Sequence, residues 1–466
     1  MKKNFLLFAL LFVCGGMLSA QMPSALANFL KNKNLAHAAV GFKAIDINTE
    51  KVVASCNENM SLIPASNMKL VTTATALEVL GSRFCFETPL LYAGYIQDTT
   101  LYGNLYVKGT GDPTLCSEYN PGNKDGCLEE WLTALNKIGV KKVTGNIVVL
   151  DQLFGYEGIP AKWLWEDQGN YYAPGIYGIS AFDDMYRVYL QSTAIDSVTT
   201  VLSVNPPIKN LQLTNEVTAS SDPADNSYVS GAPLSNEIRL HGTIPANRSS
   251  FVVKGAIPDP GLFLAQYLRD YLQDNGITID GEATTYRLCP VSTGEMKLLS
   301  IVRSVALASI VRTTNVWSNN QYAEHLYRVL TYLDSIDIQG YWKKKGLDSE
   351  ALFMYDGSGT SPRDGVSTKF LIDLLVYMYK QSKNSDVFYQ SLPVAGKEGT
   401  VTSLLKNTPL AGKARLKSGS ISNVQSFSGY IESNGKQYAV SLIVNNFTGK
   451  RSALRKEIEQ LFTQLF

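Results

Sequence analysis

Ser66 and Lys69 stand one helical turn apart in Ser66-Asn67-Met68-Lys69, where a stretch of helical spacing begins. At that separation the hydroxyl and the amine share a helix face and can meet. A serine hydroxyl is a weak nucleophile until a base takes its proton. A lysine can act as that base when burial and nearby cations lower its pKa, and a helix N-terminus adds positive backbone N–H groups at the reacting centre. The same spacing recurs at Ser403–Lys406 and Ser433–Lys436, which read as solvated surface, so spacing alone assigns nothing. Ser318-Asn319-Asn320 offers a hydroxyl able to pass a proton to a leaving amine and an amide able to hold a carbonyl. It is equally an ordinary helix start, since Ser and Asn are preferred N-caps. Lys417-Ser418-Gly419-Ser420 is the only Lys-Ser/Thr-Gly in the chain. There a cation and hydroxyls can grip a carboxylate while Gly419 admits a close backbone approach; the bland reading is a turn with a surface lysine. His325 reads as a helical or surface histidine, and no Ser-His-Asp arrangement surrounds it.

The elements that must position these residues lie at the two ends of the chain. Residues 38–47 and 51–55 read as strands around a turn at Asn48-Thr49-Glu50. From Ser66 to Leu80, Met68, Leu70, Val71, Ala74, Leu77 and Val79 recur at helical spacing, and Gly81 supplies the stop. Residues 414–417, 425–432 and 437–445 read as three strands, the last two joined by a hairpin turn at Ser433-Asn434-Gly435. A closing helix carries Leu454, Ile458, Leu461 and Leu465 on one face. Between the ends, residues 90–296 are rich in Gly, Pro, Asn, Thr and short β-like runs such as Gly145–Leu150 and Ser250–Lys254. Turn clusters at Asn120-Pro121-Gly122 and Ser221-Asp222-Pro223 punctuate them. The expected organisation is one α/β unit assembled from residues 21–89 and 297–466, interrupted by a β-rich insertion of one or two subdomains.

Composition narrows the function classes. The 466 residues carry 42 Lys plus Arg against 41 Asp plus Glu, a net charge of +1, which supplies no field for a nucleic acid. Hydrophobic residues at 45% allow a large core and exclude a disordered chain. Three histidines argue against His-rich metal chemistry, no Cys/His spacing suits zinc, and no cofactor is expected. Lys2-Lys3, the apolar run Phe5–Val13 and Leu18-Ser19-Ala20 read as a signal peptide cleaved after Ala20. Bulky Phe12-Val13 before Cys14 do not suit a lipobox. The expected location is therefore periplasmic, soluble or loosely membrane-associated. Five cysteines remain after cleavage, and the short Cys116–Cys127 loop is the easiest bridge to imagine. No catalytic role is assigned to them.

Serine-x-x-lysine, a Ser-x-Asn and a Lys-Ser/Thr-Gly in this order form the motif set of penicillin-binding proteins and class A β-lactamases. Further segments make the likeness specific. Ile310–Asn315 with Ala323-Glu324, Asp356-Gly357-Ser358-Gly359 with Arg363, Ser428-Gly429-Tyr430, and Trp163–Asp167 running into Tyr172-Ala173-Pro174 all resemble the peptidase S13 family of D-Ala-D-Ala carboxypeptidases. About 250 residues separate Ser66 from Ser318, and a long β-rich insert at this point is that family's hallmark. No E-x-x-L-N, the deacylating motif of class A β-lactamases, is present. The chain departs from the commoner pattern with Asn319 where many relatives outside the family have Asp, and with Ser418 and Ser420 in place of Thr.

The resemblance implies a serine β-lactamase/transpeptidase-like domain and acyl transfer on peptidoglycan stem peptides, with β-lactam antibiotics as covalent inhibitors. It implies Ser66 as nucleophile, Lys69 as base, Ser318 and Lys417 as proton relay, and Asn320 holding both a substrate amide and Lys69. It further implies Lys417, Ser418 and Gly419 at the substrate carboxylate, with the Ser66 and Ser420 N–H groups as oxyanion hole. Family members also cleave cross-links, reading a diaminopimelate-type amine with an acid from the insert; Asp151, after the strand ending at Leu150, is the candidate by position. A β-lactamase-like hydrolase and a non-catalytic penicillin-binding scaffold are the competing readings.

Overall fold

The computed structural model describes residues 22–120, 125–290 and 295–466. The expected signal peptide and its cleavage point after Ala20, and Pro121-Gly122 of one expected turn, lie outside the described residues.

The two ends of the chain build one antiparallel sheet. Its strand order is Ala414–Ile421, Val424–Ser433, Lys436–Asn445, Ala39–Asp46 and Val52–Cys56. The first strand of the chain pairs with the last, Ala39 opposite Asn445 and Asp46 opposite Tyr438. Alternation along the strands sorts side chains to two cores. Phe42, Ala44, Val440, Leu442 and Val444 meet Leu26 and Phe29 of helix Ser24–Leu30 and Leu454, Ile458 and Phe462 of helix Arg451–Leu465. Ile45, Ala439 and Ile443 face the opposite way, onto helices that include Met68–Leu80 and Thr368–Lys380.

Helix Met68–Leu80 is the central rod of that second layer, with Met68 through Leu77 all buried. A helix buried on every side must satisfy its polar groups locally. Thr73 and Thr75 donate back to Lys69 O and Val71 O at 2.6 and 2.7 Å, and Thr72 donates to Gly357 O at 2.6 Å. Gly81 ends the helix at φ +82, its N–H returning to Leu77 O at 3.1 Å.

Among the described residues the insert holds three further sheets and a core of its own, centred on residues such as Trp131, Ile147, Tyr186, Leu240 and Leu268. The largest sheet contains both Glu87–Gln97 and Lys297–Arg303, paired antiparallel with Glu87 opposite Arg303. Residues 89/90 and 296/297, the expected edges of the insert, therefore fall within or beside strands of this sheet. Just before and after these two strands, Ser304 N donates to Phe86 O and Phe86 N to Ser304 Oγ, tying the two passages of the chain together. The insert also contains helices Gly126–Lys137 and Pro260–Asp274, which the β-rich reading omitted. The second is started by Asp259, whose side chain accepts from Leu262 N, followed by Pro260.

Candidate active site

Three elements converge on one cleft of about 690 Å³, lined among others by Ser66, Ser318, Asn320, Ser418 and Ser420. Ser66 sits in the 3-10 turn Ala65–Asn67 that feeds helix Met68–Leu80, after Ala65 in the left-handed region at φ +47. Such strain in a buried non-glycine residue persists only where the surroundings hold it. Gly359, at φ +78, supplies part of that hold, since a Cβ there would lie 1.9 Å from the Ala65 carbonyl.

Lys69 is fully buried below the nucleophile. Its Nζ lies 2.9 Å from Ser66 Oγ, 2.6 Å from Asn320 Oδ1 and 2.6 Å from the Ser358 carbonyl oxygen. Burial lowers its pKa to about 7, against the opposing pull of Asp356, Glu324 and Asp364. Those acids are themselves buried. Glu324 Oε1 accepts from Gly357 N and Ser358 N at 3.0 and 2.7 Å. Asp356 accepts from Trp163 Nε1 at 2.7 Å and from the N–H groups of Ser358, Gly359 and Ser361. Burial first and Asp356 second push Glu324 up to about 8 and Asp364 up to about 10. A lysine poised near neutrality over Glu324 and Asp364, whose carboxyls resist ionisation, is suited to accept a proton at physiological pH.

The second motif divides its two readings between neighbouring residues. Asn319 is the N-cap of helix Asn320–Arg328, its side chain accepting from Tyr322 N at 2.9 Å. Ser318 stands outside the helix at φ +57, and its Oγ accepts from Lys417 Nζ at 2.9 Å. Lys417 also donates to the Ser418 carbonyl at 2.7 Å. Lys417 is fully buried, its pKa held well below the usual lysine value by burial and then by the charge of Lys69. It therefore presents no surface to a ligand. The cleft wall there consists of the Thr400, Ser418 and Ser420 side chains, with Ser418 Oγ donating to Thr400 Oγ1 at 2.7 Å.

Gly419 also has a packing role. A Cβ there would lie 2.3 Å from Ser426 Oγ, 2.6 Å from Pro64 O and 2.9 Å from Ser66 N. The missing side chain lets the edge strand Ala414–Ile421 close directly on the nucleophile turn. Asn67, also fully buried, ties the same parts together. With its amide oriented to satisfy both ends, it donates to Lys417 O at 2.9 Å and accepts from Ser428 Oγ at 2.8 Å.

Asp151 is not part of this cleft. It is buried at the end of strand Ile147–Leu150, where its carboxylate accepts from Tyr156 Oη at 3.0 Å and packs against Gly261. The acids that the insert does bring to the cleft wall are Glu166, Asp167 and Asp183. Asp167 accepts from Tyr172 Oη at 3.0 Å, and burial raises its pKa. Asp167 belongs to the Trp163–Pro174 segment already singled out, so the signal was present. Sequence distance alone did not distinguish which aspartate faces inward. His325 is a core residue, its Nδ1 2.9 Å from Gly111 O and its pKa lowered by burial to about 4.

The family model described as "D-Ala-D-Ala carboxypeptidase 3 (S13) family" matches residues 22–465. The chain is 26% identical over 457 residues to the D-alanyl-D-alanine carboxypeptidase DacB of Haemophilus influenzae, covering 92% of this chain and 91% of that one. Its fold is similar to the crystal structure of penicillin binding protein 4 (dacB) from the same organism, with TM-score 0.80, 23% identity and coverage of 95% and 99%. The form of that protein complexed with a β-lactam gives TM-score 0.75 at 24% identity, covering 96% and 100%.

Proposed function

This chain belongs to the D-Ala-D-Ala carboxypeptidase S13 family of serine-type hydrolases, and from that premise we propose that Ser66 is its acylated nucleophile. The observation that carries the assignment is the pairing of Ser66 Oγ with a buried Lys69 amine at 2.9 Å, facing a second hydroxyl–lysine pair, Ser318 and Lys417, in one cleft.

In the proposed reaction Lys69 accepts the Ser66 hydroxyl proton as Oγ attacks the carbonyl between the two terminal D-alanines of a stem peptide. The N–H groups of Ser66 and Ser420 would stabilise the oxyanion, a task that donors already in place perform without reorganisation. The C–N bond then breaks as Ser318, hydrogen-bonded to Lys417, passes its proton to the departing amine and is reprotonated by the proton that Lys69 took from Ser66. Water then attacks the ester carbonyl, giving a proton to Lys69, which passes it to Ser66 Oγ as the acyl C–O bond breaks. One Asn320 amide hydrogen is left for a substrate carbonyl once the other has gone to Tyr172 O. The terminal carboxylate would meet the Ser418, Ser420 and Thr400 hydroxyls, with the Lys417 amine behind them holding Ser318 and the Ser418 carbonyl. Penicillins, which carry a strained amide beside a carboxylate, would enter the same path and stall as a slowly hydrolysed ester.

We assign to Asp167 the role expected of Asp151, reading an amine on the third residue of the stem peptide and so permitting cross-link cleavage. The signal-like Lys2–Ala20 segment supports export to the compartment that holds peptidoglycan. The test is the intact mass of the purified protein after benzylpenicillin, beside Ser66→Ala. One penicilloyl adduct on the wild type alone supports the assignment. Intact drug with no adduct overturns it, and drug hydrolysed without an adduct points to a β-lactamase.

A further inference from the structure

Arg451 and Arg455 line the same cleft from helix Arg451–Leu465, a helix the chemistry above does not use. Arg451 Nη2 donates to the Ile421 carbonyl at 2.7 Å, one residue past Ser420, and its guanidinium lies 5.9 Å from the centre of the Phe447 ring. Arg455 has its Nε and Nη2 buried without a hydrogen-bond partner among the described residues. Glu459, the acid whose charge acts on Arg455, has Oε1 engaged by Leu405 N at 3.0 Å.

This arrangement is unfavourable in the free protein. Like charges four residues apart on a helix repel, Arg451 in the first turn opposes the helix dipole, and no acid occupies that turn. Partial burial adds a desolvation cost, which lowers both guanidinium pKa values. An anion arriving in the cleft would relieve all three. Glu166 and Asp167 line the same cleft, so the insert contributes acids to it and the terminal helix contributes arginines.

Register indicates which part of a substrate would arrive there. Strand Ala414–Ile421 is the edge of its sheet, and an extended peptide can align along such an edge. At roughly 3.3 Å per residue, Ile421 lies about 13 Å along the strand from Lys417. A peptide with its terminal carboxylate at Ser418 and its scissile carbonyl near Ser420 would bring earlier residues to the arginines.

We propose that Arg451 and Arg455 form a carboxylate-binding subsite at this end of the cleft, engaging an acidic group of the stem peptide upstream of the scissile bond. The inference rests on the acyl-transfer reading of Ser66. Two sources offer that carboxylate: a γ-linked glutamate at the second position, or the distal end of a diamino diacid at the third.

The test is release of D-alanine from synthetic pentapeptides that differ only in these groups. One pair carries the γ-linked glutamate or its α-carboxamide; the other carries diaminopimelate or lysine. Wild type is expected to prefer the acidic member of one pair by about tenfold in kcat/KM, the scale of a charge-assisted hydrogen bond. The pair that shows the preference identifies the source. Arg455→Gln and Arg451→Gln are each expected to reduce that ratio toward one, chiefly through KM, with Arg455→Lys restoring part of it. A wild-type ratio near one for both pairs overturns the subsite without recourse to any variant. A ratio that survives both Gln substitutions overturns it as well. Failure of benzylpenicillin to acylate the wild type would show instead that the underlying Ser66 reading had failed.

Discussion

The Asn320 amide donates from Nδ2 to the backbone carbonyl of Tyr172 at 2.6 Å. Because Asn320 Oδ1 also accepts from Lys69 at 2.6 Å, one side chain joins the base to the wall contributed by the insert. The insert is thus not an appendage beside the site. Its Trp163–Pro174 segment supports Asn320 through Tyr172 and holds Asp356 through Trp163, and further along the insert Asp184 accepts from Gln321.

Lys69 must be neutral to act as a base, and its pKa is lowered to about 7. Acylation by benzylpenicillin is therefore expected to rise with pH through about 7 and then level off. Asn320→Asp, which keeps the shape, would place an anion beside the ammonium and favour its charged form. It would also turn an acceptor toward the Tyr172 carbonyl. The rising limb should move up by about one to three pH units. A limb that stays in place would mean that Lys69 is not the group being titrated.

Gly419→Ala tests the contact between the edge strand and the nucleophile turn. The added methyl meets Pro64 O and Ser66 N, both backbone atoms, at 2.6 and 2.9 Å. The turn must move, and displacement of a reacting group by about 1 Å can cost about a hundredfold. The acylation rate constant should fall by that order while the circular dichroism spectrum is retained. A loss smaller than about threefold would show that the contact does not position Ser66.

Glu324 holds the loop whose Ser358 carbonyl faces Lys69. Glu324→Gln preserves an oxygen for the Gly357 and Ser358 N–H groups, and burial already favours the neutral acid. It should leave stability nearly unchanged at pH 7. Glu324→Ala strands the buried Gly357 N–H and leaves Ser358 N with Asp356 alone, and should destabilise the fold by about 1–3 kcal/mol in denaturant titration. Equal stability of the two variants would remove Glu324 from this role.

How far the sequence carries depends on what each residue does. Strands of the terminal sheet were readable as short apolar runs bounded by turn residues such as Asn434-Gly435, and Gly81 marked the end of helix Met68–Leu80. Lys69 and Ser66 were readable because local spacing alone brings them together. Helices Gly126–Lys137 and Pro260–Asp274 were overlooked although Cys127, Leu128, Trp131 and Leu135 recur helically and Asp259-Pro260 is a start signal. The turn-rich composition around them outweighed the local pattern. Glu324, Asp356 and Asp364 were not readable as a buried cluster, because acids are ordinarily solvated and only tertiary packing brings these three under Lys69. Arg451 and Arg455 were hidden likewise, as ordinary polar positions of an amphipathic helix.

Asp184 provides a stability test away from the reacting atoms. It is fully buried, accepts from Ala181 N and Gln321 Nε2 at 3.1 Å each, and burial raises its pKa to about 8. Between its unfolded value near 3.9 and about 8, the folded state keeps a proton that the unfolded chain has released. Stability from this site is therefore complete below pH 4 and declines as pH rises, the cost growing until the folded carboxyl ionises near 8. Asn cannot ionise, so Asp184→Asn removes this term. The melting temperature of the wild type minus that of Asp184→Asn should fall steadily from pH 5 to pH 8 and flatten beyond. A difference independent of pH would show that Asp184 is ionised in the fold throughout that range.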